Sequence, residues 1–205
     1  FSCSCHVINI APLMIMHKLF IASSLVNTHD LLELGILLTI ETGLRVGELC
    51  TLKRDCVFKD CLKIQRSEHR AKFDGKYRFY VEKPKKNKTR TVQLNKDAKE
   101  IVTKILDMHK SDWLFPGPND DSDWMRSYYF DKAIRKVCKR LRLRERSMHK
   151  LRKTYASYLF WNEVPEKLIQ EQLGHADIST THRSYHYNIL DEDEKTNILG
   201  TIHIG

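Results

Sequence analysis

With 205 residues the chain can bury one substantial core, and a single domain, alone or with an appended arm, is the expected organisation. Its 35 Lys and Arg against 26 Asp and Glu leave a formal net charge of +9, which favours a polyanionic partner, because clustered cations displace the counterions condensed on a nucleic acid. Six cysteines, at 3, 5, 50, 56, 61 and 138, lack the paired spacing of a metal finger. The pattern argues against a zinc module, even with Cys3, Cys5 and His6 close together, and for free thiols in a reducing cytoplasm.

The opening stretch "VINIAPLMIMHKLFIASSLV" is apolar but interrupted by His17 and Lys18, and no basic leader precedes it. Neither a membrane span nor export is expected. The start at Phe1 reads as that of a fragment, with upstream sequence missing. From Thr28, a candidate N-cap, "HDLLELGILLTIET" carries apolar residues at helical spacing up to Gly43, which suits the residue after a helix end. A short second helical piece follows. "CLKIQR", "YRFYVE" and "TRTVQL" then read as three strands of one small antiparallel sheet, the last two joined by the charged tip "KPKKNK".

Asn95 can cap the next helix, "KDAKEIVTKILDMHK", with Ile101, Ile105 and Met108 as one stripe, and "FPGP" breaks the chain after it. Beyond that point the pattern is wholly helical: "DWMRSYYFDKAIRKVCKRL", "SMHKLRKTYASYLFWN", "PEKLIQEQL" and a segment through Tyr185. Pro165 fits a first helical position and Gly174 a C-terminal cap. The expected fold is α+β, mainly α-helical, with a small three-stranded antiparallel sheet. The domain plan is a lead-in over 1–27, one domain over 28–187 and a tail over 188–205.

Basic residues are unevenly spread. Lys83, Lys85, Lys86, Lys88 and Arg90 crowd the hairpin, and residues 135–153 hold ten Lys or Arg against the single acid Glu145. Either run alone is ordinarily a solvated face. Two runs flanking other polar candidates point instead to a DNA groove. Those candidates also have ordinary readings: Arg45 as a surface arginine or a salt bridge to Glu48, His149 and Arg152 as one solvent face of a helix, His175 as a cap, Tyr185 as packing.

Taken together and in order, "TGLRVGEL" with Arg45, the "KPKKNKTR" hairpin, "HKLR" with His149 and Arg152, and "LGHADISTT" with His175 followed by Tyr185 resemble the catalytic domain of the tyrosine recombinases, the phage and transposon integrase family. "TIETGLRVGELCTL" and "KPKKNKTRTVQL" look most like integrases of conjugative transposons. The resemblance implies that Arg45 is the first catalytic arginine, that His149 and Arg152 form the HxxR pair, and that His175 and Tyr185 take the later histidine and the nucleophile positions. Lys85 follows Pro84 as in relatives with a Pro-Lys hairpin, although a gap would pass its role to Lys86 or Lys88. Relatives place the tyrosine nine or ten residues beyond the histidine. Here only the longer spacing meets one, Tyr185, with Tyr187 as the fallback. Lys153 stands where a second histidine is common, with little expected consequence.

The implied reaction is attack by a tyrosine oxygen on a DNA phosphodiester, giving a 3′-phosphotyrosyl enzyme and a free 5′ hydroxyl. Arg45, Arg152 and His175 would hold the phosphate oxygens, His149 would take the tyrosyl proton or align the phosphate, and Lys85 would protonate the leaving oxygen. No metal, ATP or other cofactor is required. The expected partners are double-stranded DNA sites and three further copies of the chain in a tetramer, with the acidic tail 188–205 docking in trans and the location cytoplasmic. A type IB topoisomerase, a DNA-binding regulator without catalysis, and a helical interaction domain are the competing readings.

Overall fold

A computed structural model describes residues 21–25, 27–83 and 89–174. Helix α1 (Leu31–Thr42) begins at Asp30, whose carboxylate accepts the N–H groups of Leu32 and Glu33. Thr28, the expected cap, instead accepts the Asp30 N–H and donates to Glu33. Asp30 is two residues nearer in sequence to the orphan amides and takes the cap. Gly43 ends the helix at φ +66°, the left-handed conformation foreseen for it. Leu34, Ile36, Leu38 and Ile40 cover both sides of α1 and are all buried, so this helix is the centre of the molecule.

A short helix, α2 (Val46–Cys50), and a 3-10 turn (Arg54–Cys56) lead to four strands: β1 (Cys61–Ile64), β2 (Ser67–Phe73), β3 (Lys76–Glu82) and β4 (Arg90–Gln93). They form two antiparallel pairs, β1 with β4 and β2 with β3, rather than the single three-stranded sheet expected. The expected β3–β4 pairing is absent among the described residues because each strand takes another partner. Leu62 lies opposite Val92, both fully buried, which sets the β1–β4 register. Strand β2, missed in the sequence, pairs with β3 from Ser67↔Glu82 to Phe73↔Lys76. Asp74 and Gly75 between them both have positive φ, the two-residue geometry that an Asp-Gly turn favours. That dipeptide was the available signal. It went unread because β2 buries a carboxylate, Glu68, where an apolar residue was sought.

Helices α3 (Lys96–Met108), α4 (Ser127–Arg140), α5 (Met148–Trp161) and α6 (Glu166–Leu173) complete the element order. Asn95 caps α3 as expected, accepting the Ala98 N–H at 2.8 Å. The buried stripe is Ala98, Val102 and Ile105, while Met108 is exposed. Arg54 closes the other end of α3 by donating to the carbonyls of Leu106, His109 and Ser111. Ser147 caps α5, and Pro165 occupies the N-cap of α6 rather than its first turn.

Helix α1 packs on α3, α4 and α5, and α6 lies on β4 and α5. The main core runs from Ile21 and Leu25 through α1 and the β1–β4 pair to Phe115, Phe130 and Ile134. A smaller cluster of Tyr155, Ala156, Ile169 and Leu173 joins α5 to α6. Glu68 locks the β2–β3 hairpin to α4: its carboxylate accepts the Trp124 indole N–H at 2.8 Å and the Ser127 backbone N–H at 3.0 Å, at the start of the helix. The four cysteines among the described residues, Cys50, Cys56, Cys61 and Cys138, are free thiols. No helix among these residues is long and apolar enough to cross a membrane.

Gly35 of α1 faces the rings of Phe130 and Phe115, which meet edge to face at 5.3 Å. A Cβ there would press into Phe130 and stand 3.2 Å from Phe115. Gly35→Ala gains about 1 kcal/mol of helix propensity but overpacks a fully buried pair, which costs about 1–3 kcal/mol. The expected outcome in urea unfolding is net destabilisation of up to about 2 kcal/mol.

Candidate active site

The site forms where α6 ends. The last carbonyls of a helix have no partner within it and carry the negative end of its dipole. Here three consecutive ones each receive a different arginine. Arg90 of β4 donates to the Gln172 carbonyl, Arg152 of α5 to that of Leu173 at 2.5 Å, and Arg45 to that of Gly174 at 3.2 Å. The three arginines come from separate parts of the chain, and α6 is the point at which they meet.

Arg45 is delivered by α1 and α2 together. Gly43 turns the chain out of α1, and Arg45 is the N-cap of α2. Glu48, one turn on, accepts the Arg45 backbone N–H at 2.9 Å and its Nη1 at 3.0 Å. Nearly half of the Arg45 side chain remains exposed, at 45%. The ordinary reading of this residue, a salt bridge to Glu48, is therefore correct in geometry, and it leaves a solvent-facing guanidinium edge.

Arg152 is almost wholly buried, with 3% of its surface exposed. Besides the Leu173 carbonyl it donates to that of Gly43 at 2.6 Å, so one guanidinium ties the end of α1 to the end of α6. The solvent-face alternative for the His149/Arg152 pair fails for the arginine and holds for the imidazole, because His149 is exposed. Partial burial, followed by the charges of Lys153, Arg152 and Arg45, lowers the His149 pKa below its ordinary value. The shift favours the neutral form of the imidazole.

Glu48 and Arg90 were not singled out from sequence, although Arg90 was counted in the basic hairpin and Glu48 was named as an ordinary partner. Arg90 bonds Glu48 with Nη2 at 2.6 Å and Nε at 3.4 Å. Burial pushes the Glu48 carboxyl up, but the charges of Arg90 and Arg45 and the hydrogen bonds they make outweigh it, holding the pKa below the usual carboxylate range. Gln172 adds a polar clasp: its amide oxygen accepts the Gln93 N–H at 2.9 Å, and its amide nitrogen donates to the Gln93 carbonyl at 3.1 Å, extending the edge of β4. A spacing of 42 residues between Glu48 and Arg90 carries no local signal.

Arg45, His149 and Arg152 are thus gathered at one place. Lys85 and its neighbours Lys86 and Lys88, along with His175, Tyr185, Tyr187 and the tail 188–205, lie outside the described residues. The last described residue, Gly174, precedes His175 directly, and Arg90 follows the lysine segment by two residues.

The chain belongs to the phage integrase family, whose model matches residues 14–190. It is similar to the tyrosine recombinase XerD of Brucella suis biovar 1 (strain 1330), 31% identical over 160 residues covering 74% of this chain and 46% of the relative. A XerC-like tyrosine recombinase of Caldanaerobacter subterraneus subsp. tengcongensis (strain DSM 15242 / JCM 11007 / NBRC 100824 / MB4) is 32% identical over 187 residues, covering 81% of this chain and 47% of that protein. The chain spans about half the length of these curated relatives. Among solved structures, the Tn1549 transposon integrase in complex with circular intermediate DNA superposes with a TM-score of 0.73 at 18% identity, covering 92% of this chain and 66% of that one. The chain therefore has the tyrosine recombinase catalytic-domain fold.

Two measurements check the electrostatics of the site. In NMR, the His149 imidazole is expected to titrate with a midpoint below the ordinary value of about 6.5, because partial burial and then the surrounding cations disfavour its charged form. The lowered Glu48 pKa stabilises the fold above the unfolded value of about 4.3, and this contribution is lost as pH falls through the folded-state value. Glu48→Gln leaves two cations without their buried counter-charge and is expected to cost roughly 3 kcal/mol at pH 7. Its urea-unfolding stability should also fall less steeply than that of the wild type on acidification.

Proposed function

We propose that the chain is the catalytic domain of a site-specific DNA recombinase, which breaks and rejoins strands through a 3′-phosphotyrosyl intermediate. The observation that carries this is the meeting of Arg45 and Arg152 on the last carbonyls before His175, in a member of the phage integrase family. The naming of its relatives as tyrosine recombinases supports the same reading over a type IB topoisomerase.

In this mechanism a phosphodiester lies against the exposed edge of Arg45. A guanidinium has five N–H donors. Arg152 gives two to the carbonyls of Gly43 and Leu173, so its first task is to hold the site together, and the family resemblance gives it a share in clamping the phosphate. With His175 these groups meet the negative charge that builds on the non-bridging oxygens, the largest electrostatic contribution in such a reaction. The Tyr185 oxygen attacks phosphorus while neutral His149 takes the phenolic proton. The bond from phosphorus to the 5′ oxygen breaks, and Lys85 supplies that oxygen with a proton. Attack by the 5′ hydroxyl of another strand reverses these steps on the new partner. The ester energy stays in the phosphotyrosine, so no ATP is needed, and the arginines and Lys85 supply the positive charge that a metal ion would otherwise bring.

The proposed substrate is a pair of double-stranded DNA sites held by four copies of the chain, with residues 28–187 acting as the catalytic domain and the tail 188–205 docking on a neighbouring copy. The structural neighbour solved with circular intermediate DNA supports a DNA partner. Free thiols at the described cysteines fit a cytoplasmic location.

The test is to incubate the chain with a nicked duplex carrying the site it selects from a randomised pool, then look for a covalent adduct by denaturing gel and peptide mass spectrometry. The adduct is expected on Tyr185, in EDTA as well as in magnesium, and is absent in Tyr185→Phe. Arg45→Ala should slow its formation about a hundredfold or more. An adduct on Tyr187 would move the nucleophile, and the absence of any adduct, or strict dependence on magnesium, would defeat the reading.

A further inference from the structure

We infer that Arg90 is a positioning residue for the strand-cleavage step: by saturating the buried carboxylate of Glu48 it leaves the outer edge of the Arg45 guanidinium free to face the phosphate. The inference rests on the recombinase reading above and adds to it a residue that the family resemblance did not supply.

The argument begins with the charge balance at Glu48. Its side chain is 8% exposed, and an ionised carboxylate so poorly hydrated draws every cation within reach. Two are in reach. Arg90, with a side chain only 14% exposed, gives Glu48 both Nη2 and Nε. Arg45 gives a single guanidinium contact, from Nη1, together with its backbone N–H. This division of labour keeps Arg45 at the surface. Without Arg90, a carboxylate short of one partner would recruit more of the Arg45 guanidinium, turning inward the face proposed to hold the phosphate.

Geometry on the other side of Arg90 restricts its freedom to do anything else. Nη1 donates to the Gln172 carbonyl. The stem lies so close to Gly174 that a Cβ on that glycine would collide with Cδ and Nε of Arg90. Gly174 itself sits at φ +63°, so the glycine both ends α6 and admits the arginine. Arg90 is also the first residue of β4, paired with Ile64. One side chain thereby connects the strand that follows the lysine segment, the buried carboxylate behind Arg45, and the helix end that precedes His175.

The experiment compares single-turnover cleavage of the nicked duplex by wild type, Arg90→Met, Arg90→Lys and the double variant Glu48→Gln/Arg90→Met, with DNA affinity and thermal unfolding measured on the same proteins. Misplacing a reacting or clamping group by about 1 Å commonly costs on the order of a hundredfold in rate. Arg90→Met is therefore expected to slow cleavage by roughly ten- to a hundredfold at a temperature where it is folded, with DNA affinity little changed. Arg90→Lys restores part of the rate, since an ammonium can neutralise Glu48 but cannot also fork to Gln172. The double variant should cleave faster than Arg90→Met alone, because a neutral amide no longer pulls Arg45 inward. A purely structural role would make the double variant no faster.

Cleavage by Arg90→Met at the wild-type rate, or a double variant no faster than Arg90→Met, overturns the inference while leaving the recombinase reading intact. A wild-type chain that forms no adduct defeats that reading itself, and the positioning role of Arg90 with it.

Discussion

The structure around the candidate site depends on the C-terminus of one eight-residue helix. Three carbonyls at the end of α6 would be unsatisfied if that end were simply buried, and three arginines satisfy them in turn. The hydrogen bonds explain the convergence of segments that share no local sequence relation: Arg45 is 129 residues from its acceptor and Arg90 is 82 from its own. They also explain how so much positive charge is kept in one place. The helix dipole and charge-assisted donation offset part of the repulsion among guanidiniums, and Glu48 supplies the counter-charge for two of them.

The arginines differ in what burial makes of them. Arg152 is enclosed and joins two helix ends, Arg90 is largely enclosed and neutralises Glu48, and Arg45 keeps one face in solvent. A polyanion approaching this surface would meet Arg45 first, with a rigid cationic layer behind it. His149 lies in the field of that layer, and partial burial together with these charges lowers its pKa.

Much of the helical fold is legible in the sequence, and the reasons are local. Asn95 and Ser147 cap helices where they were expected or where the helical pattern begins, and Gly43 and Gly174 end them with positive φ. The sheets are less legible. Strand β2 was missed because its inward residue is Glu68, a carboxylate that caps α4, and alternation of apolar residues could not reveal it. The pairing of β1 with β4 brings together residues about thirty apart, across a hairpin that pairs with itself. An Asp-Gly dipeptide announces such a hairpin, whereas nothing local announces the partner of β1.

From sequence alone came the family resemblance, the mainly helical α+β class and the selection of Arg45, His149 and Arg152, because caps, helical periodicity and short motifs act over a few residues and are written contiguously. Tertiary structure alone decided that Arg152 is buried, that His149 is exposed among cations, and that Glu48 and Arg90 stand behind Arg45. The physical reason is that a carboxylate or a guanidinium acquires its environment from whatever packing brings beside it, and here the long-range partners of these groups lie between 21 and 129 positions away along the chain.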